Sequence, residues 1–271
     1  MKITDIKTYS IEGKLKEPFW WGNGGNYKRS ATLVKIETDE GINGWGEGWG
    51  GVGLFKDMFN RAVMGKNPLE REKIWSDMFD ELNNPIIYPG IGGSAMSAID
   101  IALWDITGKK LGVPVSVLLG GKVKEKVHVY ATGLYYTRKN FNDEVDERIK
   151  EAKKYEKNGF NAMKIKIGAL KVDEDLERVS KVKSSLNSNT MLSVDANQAY
   201  DLRTAKYVSD KLHEMDIFFF EEPIMGLDVE GYKELVRYSK VRISGGESLR
   251  TRYQFKDFIN NKAFDIAQPD V

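Results

Sequence analysis

The chain has 271 residues, with 41 Lys and Arg against 40 Asp and Glu, so no basic excess points to nucleic acid and no acidic tail to disorder. Hydrophobic residues make up 41% and aromatics 11%, the balance of a globular protein with room for two domains. There is no cysteine, which excludes disulfides, thiolate zinc sites and a cysteine nucleophile; no signal peptide or membrane span is legible, and a cytoplasmic location is expected.

Residues 2–11 and 31–38 have strand character, and Asp39-Glu40-Gly41 is a turn leading into a third strand through Gly44-Trp45-Gly46-Glu47. The expected result is an antiparallel meander. Between its first two strands, Phe19-Trp20-Trp21-Gly22-Asn23-Gly24-Gly25 is too rich in glycine for a strand and too aromatic for an ordinary linker. It is expected to be a mobile lid with Trp20 and Trp21 touching a ligand, and Trp49-Gly50-Gly51-Val52-Gly53 is a second candidate. The competing reading is a surface hairpin with stray aromatics. Helical spacing follows over 54–64, 69–82 and 94–111. The last is small and apolar almost all round, so deep burial is expected, with Gly112 and Pro114 ending it. These elements form an N-terminal α+β domain over residues 1–123, with a second domain over 124–271.

The second domain opens on a strand over Val127–Thr132 and continues as apolar runs that each end in a charged residue. Ala162–Ile167, Met191–Asp195, Ile217–Glu222, Arg242–Glu247 and Phe264–Asp270 alternate with stretches of helical spacing, the pattern of a parallel sheet in an α/β barrel. Asp195, Glu221 and Glu247 follow one another at intervals of 26 residues, one βα repeat per step. In such a barrel the C-terminal ends of the strands converge on one face, so three carboxylates would meet there. Such a group needs a cation or shifted pKa values, and oxygen-only ligands favour a hard ion such as Mg²⁺. On the preceding strand Lys164 and Lys166 share a face. Six strand-like runs are legible where closure of an eight-stranded barrel needs two more, so a C-terminally incomplete barrel is expected.

The sequence resembles the enolase superfamily, in its mandelate racemase/muconate lactonizing enzyme family and the mandelate racemase subgroup. The N-terminal resemblance rests on Gly41 to Glu47, Ser97 to Asp105, and Gly108 to Pro114 through Leu118 to Gly121. In the barrel it rests on Lys164-Ile165-Lys166, Asp195-Ala196-Asn197, Glu221-Glu222-Pro223, Gly246-Glu247-Ser248 and Gln268-Pro269-Asp270. Each motif alone is weak; five in order at repeat spacing are strong. The resemblance implies an α+β capping domain on a modified (β/α)7β barrel, with Mg²⁺ held by Asp195, Glu221 and Glu247. It implies abstraction of the proton α to a carboxylate, with enolate stabilisation on the metal. Lys166 would be the base, Lys164 would face the substrate carboxylate, and Asn197 would donate a hydrogen bond to substrate. Asp270 would orient a histidine from the next strand. That histidine and an eighth-strand glutamate have no counterpart here. Where the cycloisomerase type carries a sixth-strand lysine, this chain has Gln268-Pro269-Asp270, an argument against a muconate cycloisomerase or a dipeptide epimerase.

For any one of these carboxylates a helix N-cap is a competing reading, since caps also follow strands in βα units. Glu222 is expected to be structural, as are Asp100 and Asp105 on the buried helix, and His128 is expected to be a satisfied barrel residue. The expected activity is a Mg²⁺-dependent lyase, an acid-sugar dehydratase converting an aldonate to a 2-keto-3-deoxy acid. A racemase or epimerase of a 2-hydroxy acid is the second expectation, and a truncated relic without turnover the third. The expected partner is a small carboxylate, a sugar acid, with no nucleic acid or membrane, and the chain is expected to form a homo-oligomer.

Overall fold

Strand β1 (Ile3–Trp21) turns back into β2 (Gly24–Thr38) through only Gly22 and Asn23, and β3 (Gly44–Gly48) completes a three-stranded sheet in the order β1-β2-β3. This computed structural model describes residues 1–49, 59–82, 90–137 and 139–270. The glycine-rich stretch over 19–25 is therefore strand and tight turn, not a lid loop. Glycine is tolerated at Gly24 and Gly25 because a tryptophan ring covers each of them. A Cβ on Gly25 would lie 2.2 Å from Trp20 Cδ1, and one on Gly24 would lie 2.7 Å from Trp21 Cζ2. The rings supply the packing that the glycines lack, a cross-strand rescue. Residues 50–53 of the second lid candidate lie outside the described residues, as does the start of the helix expected over 54–64, which is helical over 59–63.

Helix α1 (Arg71–Leu82) and the long α2 (Gly90–Leu111) pack on this sheet, and a single turn, α3 (Val115–Leu118), follows. The small residues of α2 have a specific cause. β3 presents Gly44, Gly46 and Gly48 on one face by strand alternation, and the backbone of α2 rests directly on them. A Cβ on Gly46 would stand 1.9 Å from the Ala98 carbonyl oxygen, and one on Gly44 2.0 Å from that of Ala102. Burial all round was the sequence expectation, yet Ile91, Ile101 and Leu111 are exposed. The small residues permit close backbone approach along one side, while the opposite side meets solvent. Gly46→Ala is accordingly expected to destabilise the chain by about 3 kcal/mol through overpacking, read as a lower denaturation midpoint. A midpoint unchanged from the parent would refute this backbone contact.

Among the described residues six strands form the parallel sheet of the second part: β4 (Ala131–Thr132), β5 (Ala162–Lys166), β6 (Met191–Asp195), β7 (Phe219–Glu221), β8 (Arg242–Gly245) and β9 (Ile266–Ala267), paired in sequence order. Between them run α4 (Phe141–Lys157), α5 (Val172–Ser185), α6 (Leu202–Glu214), α7 (Val229–Tyr238) and α8 (Thr251–Asn261). Most of the apolar residues of the inner strands β5 to β8 are buried in one core, as parallel strands covered on both faces require, whereas β9 is partly exposed. The expected first strand over 127–132 shortens to two residues. Residues 127–130 are exposed, so His128 is a solvent-facing residue rather than a satisfied barrel residue.

Packing divides the chain into two units. One comprises Met1–Lys14 and Lys28–Val127; the other comprises Leu15–Tyr27 and His128–Val271. The far half of the β1–β2 hairpin thus packs with the parallel sheet, whereas a division at 123/124 would leave it in the first unit. Within the second unit Trp20 and Tyr136 form an antiparallel bridge, each backbone N–H donating to the other's carbonyl at 2.9 and 3.0 Å. No helix among the described residues is long and apolar enough to cross a membrane.

Candidate active site

Strand register brings the predicted residues together. Lys166 stands opposite Asp195 across β5 and β6, and Asp195 opposite Glu221 across β6 and β7, all at the C-terminal ends of their strands. Lys164 lies two residues back on the same face. Its Nζ donates to Glu221 Oε1 at 2.6 Å and lies 3.1 Å from Asp195 Oδ2. Lys166 Nζ donates to the same Asp195 oxygen at 2.5 Å and to Asn197 Oδ1 at 2.8 Å. All four charged side chains are buried.

Neither acidic residue is a helix cap. The caps of α4, α6 and α7 are Asn140, Asp201 and Asp228, each accepting from a backbone N–H three residues on. Directly beyond Asp195 and Glu221 the chain turns sharply, with Asn197, Gln198 and Glu222 at φ of 43°, 66° and 38°. Left-handed backbone at three non-glycine residues carries strain that the surrounding bonds must hold. Gln198 N–H donates to the Glu222 carbonyl at 2.7 Å, and the Asn197 N–H donates to Asp195 Oδ1 at 2.9 Å. Glu222 accepts from Ser248 Oγ at 2.8 Å and Gln198 Nε2 at 3.1 Å, the structural role expected of it.

Glu247 joins the group less directly. Asn197 Nδ2 donates to its Oε1 at 3.4 Å, and its carboxyl is paired with that of Glu222. Among the described residues no three His, Cys, Asp or Glu side chains stand in a metal-holding arrangement. Yet the chemistry of the donor set fits a hard divalent cation. Burial and then the Asp195 charge push Glu221 up to about 7, and burial and then Glu222 push Glu247 up to about 7. Burial opposes ionisation of Asp195, but Lys164 and Lys166 hold it below the usual carboxylate range. Lys164 is in turn kept above the usual lysine value: burial opposes its charge and the Asp195 and Glu221 carboxylates outweigh it. The ammonium of Lys164 thus serves as a cation shared by Asp195 and Glu221.

The β1–β2 turn reaches this group. Asn23 Nδ2 donates to the Asn197 carbonyl at 2.9 Å, and a Cβ on Gly22 would lie 2.7 Å from the Ala196 carbonyl oxygen. Trp20 and Trp21 stand at the end of β1, half-buried, and the Phe19 ring centroid lies 6.2 Å from that of Trp21 and 4.4 Å from that of Tyr135. Asp270 is the exception: it is exposed beyond β9 and is not part of the cluster. Its neighbour Gln268 is part of it, donating from Nε2 to Glu221 Oε2 at 2.8 Å and to the Tyr130 hydroxyl at 3.3 Å. Tyr130 and Tyr135 place their rings 5.7 and 5.4 Å from the ammonium groups of Lys164 and Lys166. Sequence reasoning missed Gln268, Tyr130, Tyr135 and Asn23. For Gln268 a signal existed, since it opens the motif that ends in Asp270.

The sequence profile of the mandelate racemase/muconate lactonizing enzyme N-terminal domain matches residues 3–120, and that of the enolase C-terminal domain-like family matches residues 147–271. D-galactarolactone cycloisomerase of Agrobacterium fabrum is 34% identical over 274 residues, covering 100% of this chain and 71% of its own. Arabinonate dehydratase of Saccharolobus solfataricus is 32% identical over 278 residues, covering 99% of this chain and 74% of its own. The crystal structure of a racemase from Streptomyces coelicolor with bound magnesium superposes with a TM-score of 0.90 at 29% identity, covering 99% of this chain and 75% of that one.

Proposed function

We propose that this chain, which belongs to the mandelate racemase/muconate lactonizing enzyme family of the enolase superfamily, removes the proton α to the carboxylate of a sugar acid and dehydrates it to a 2-keto-3-deoxy acid. The observation that carries this reading is the interleaving of two lysines with Asp195 and Glu221 at the ends of adjacent parallel strands. Likeness to an arabinonate dehydratase supports the choice of an acid sugar. Asp195, Glu221 and Glu247 would hold Mg²⁺, with Glu247 turning from its Glu222 partner. When bound, the ion supplies positive charge where negative charge develops on the substrate carboxylate.

The remaining work falls to side chains of this chain. Lys166 takes the α proton at Nζ, and Asn197, bonded to it, fixes its direction. Lys164, held charged by its two carboxylate partners, faces the substrate carboxylate. Gln268 holds the second oxygen of Glu221 and so sets that carboxylate's plane. Trp20 and Trp21 form an apolar wall on the hairpin end, which suits a sugar face stacking on indole. Asp270, exposed here, is kept as the partner of an acid acting on the opposite face.

Incubation of the full chain with an acid-sugar library and Mg²⁺ tests the proposal. The expected result is a 2-keto-3-deoxy product that forms only with the metal. Inversion of a 2-hydroxy acid without loss of water would overturn dehydration in favour of racemisation, a reading that likeness to the magnesium-bound racemase supports.

A further inference from the structure

A second buried polar cluster lies behind the lysine strand, and its bonds go to the parts of the chain that the chemistry needs. Tyr136 is its hub. Its backbone forms the bridge to Trp20, its hydroxyl donates to Asp175 Oδ1, and the same hydroxyl accepts from the Ala169 N–H at 3.3 Å. Asp175 Oδ2 accepts from the Gly168 N–H at 2.7 Å, so the two side chains gather the turn that begins two residues after Lys166. The guanidinium of Arg178 lies on the Tyr136 ring, 4.3 Å from its centroid. Arg178 is fully buried, and Nη1 donates to the carbonyl of Lys166 itself at 2.6 Å, while Nη2 donates to the Leu134 carbonyl at 2.8 Å and to Glu144 Oε1 at 3.3 Å.

Burying a guanidinium is costly, and an ion pair with Glu144 alone is a weak return for it. What the planar fork achieves is geometric: it ties the Lys166 backbone to that of Leu134 at fixed spacing, as a lysine's single point charge could not. The hairpin turn completes the chain of contacts, since a Cβ on Gly22 would lie 3.2 Å from the Ile167 carbonyl oxygen. Trp20 and Tyr136 are thus joined by backbone hydrogen bonds, and Tyr136 reaches Lys166 through the stacked Arg178 and its hydrogen bond to the Lys166 carbonyl.

We propose that Tyr136 and Arg178 are positioning residues that lock the backbone of Lys166 to the hairpin end carrying Trp20, so that the base and the wall facing substrate hold one alignment. This rests on Lys166 being the base. Neither residue touches the reacting atoms; each acts through the strand end and the hairpin.

The test uses the full chain and the variants Tyr136→Phe and Arg178→Lys, with hydrogen exchange as the first readout because it needs no substrate. In Tyr136→Phe, amides of residues 19–22 and 166–170 are expected to exchange about tenfold faster together, with the amides of β6 and β7 unchanged. Acceleration confined to α5, or spread over the whole sheet, would overturn the coupling. The second readout is turnover of whichever acid sugar the parent chain dehydrates. In both variants kcat is expected to fall about 10²-fold, with KM within about threefold of the parent, the loss that misplacing a base by about 1 Å produces. Parent-like kcat in Arg178→Lys would show that charge alone suffices and would overturn the positioning role. If the parent dehydrates no acid sugar, the proposed function fails while the exchange experiment still decides the coupling.

Discussion

Lys166→Ala is expected to lower kcat by about 10³-fold or more while the chain stays folded and still binds Mg²⁺. The loss is that of a general base placed on its proton. The truncation also removes the ammonium group that donates to Asp195, leaving Lys164 in ion-pair range at 3.1 Å as that carboxylate's charged partner. Asp195 therefore keeps a counter-charge, and metal binding is expected to persist or tighten. Two measurements check this: turnover of the acid sugar, and the rise in melting temperature on adding Mg²⁺. Activity within about tenfold of the parent would remove Lys166 from the chemistry. Loss of the Mg²⁺ response along with activity would mean that the side chain supports the fold of the site rather than the proton transfer.

Asp195→Asn is the second large effect, and it acts on stability and binding together. Asp195 is buried and accepts from the Asn197 N–H and from Lys166, with Lys164 in ion-pair range. An amide in its place faces two buried ammonium groups with no negative charge. Breaking a buried ion pair from one side costs about 3–5 kcal/mol, read as a lower denaturation midpoint without metal. The parent is expected to gain about 2.7 kcal/mol when Mg²⁺ is present at 100 times its Kd, and Asp195→Asn to gain none. A variant that melts as the parent does and responds equally to Mg²⁺ would place the cation elsewhere. Gln268→Ala is a milder companion: Glu221 loses one hydrogen bond, and a several-fold weaker Mg²⁺ response is expected with little change in fold.

Much of the site was legible because it depends on two periodicities. Strand alternation puts Lys164 and Lys166 on one face, and the βα repeat puts Asp195 and Glu221 opposite each other at the ends of successive strands, with Glu247 in the turn just beyond the next, where Ser244 stands opposite Glu221. Neither needs knowledge of what packs against the strands. The hairpin was misread for the opposite reason. Taken residue by residue, Gly24 and Gly25 break a strand; paired across it, they are the floor on which Trp21 and Trp20 lie. The first barrel strand was overdrawn because apolar alternation from Val127 to Thr132 does not say whether a partner strand reaches that far, and β5 pairs only with its last two residues.

The sequence by itself determined the order of elements, the parallel sheet, and the set of lysines and carboxylates at its strand ends, since apolar periodicity and chain spacing are local properties of the chain. Only the tertiary structure decided which carboxylate shares which lysine, that Glu247 pairs with Glu222, that Gln268 rather than Asp270 meets Glu221, and that residues 15–27 pack with the second unit. Those outcomes depend on side-chain reach and on contacts between residues of different elements far apart along the chain, which spacing along the chain does not encode.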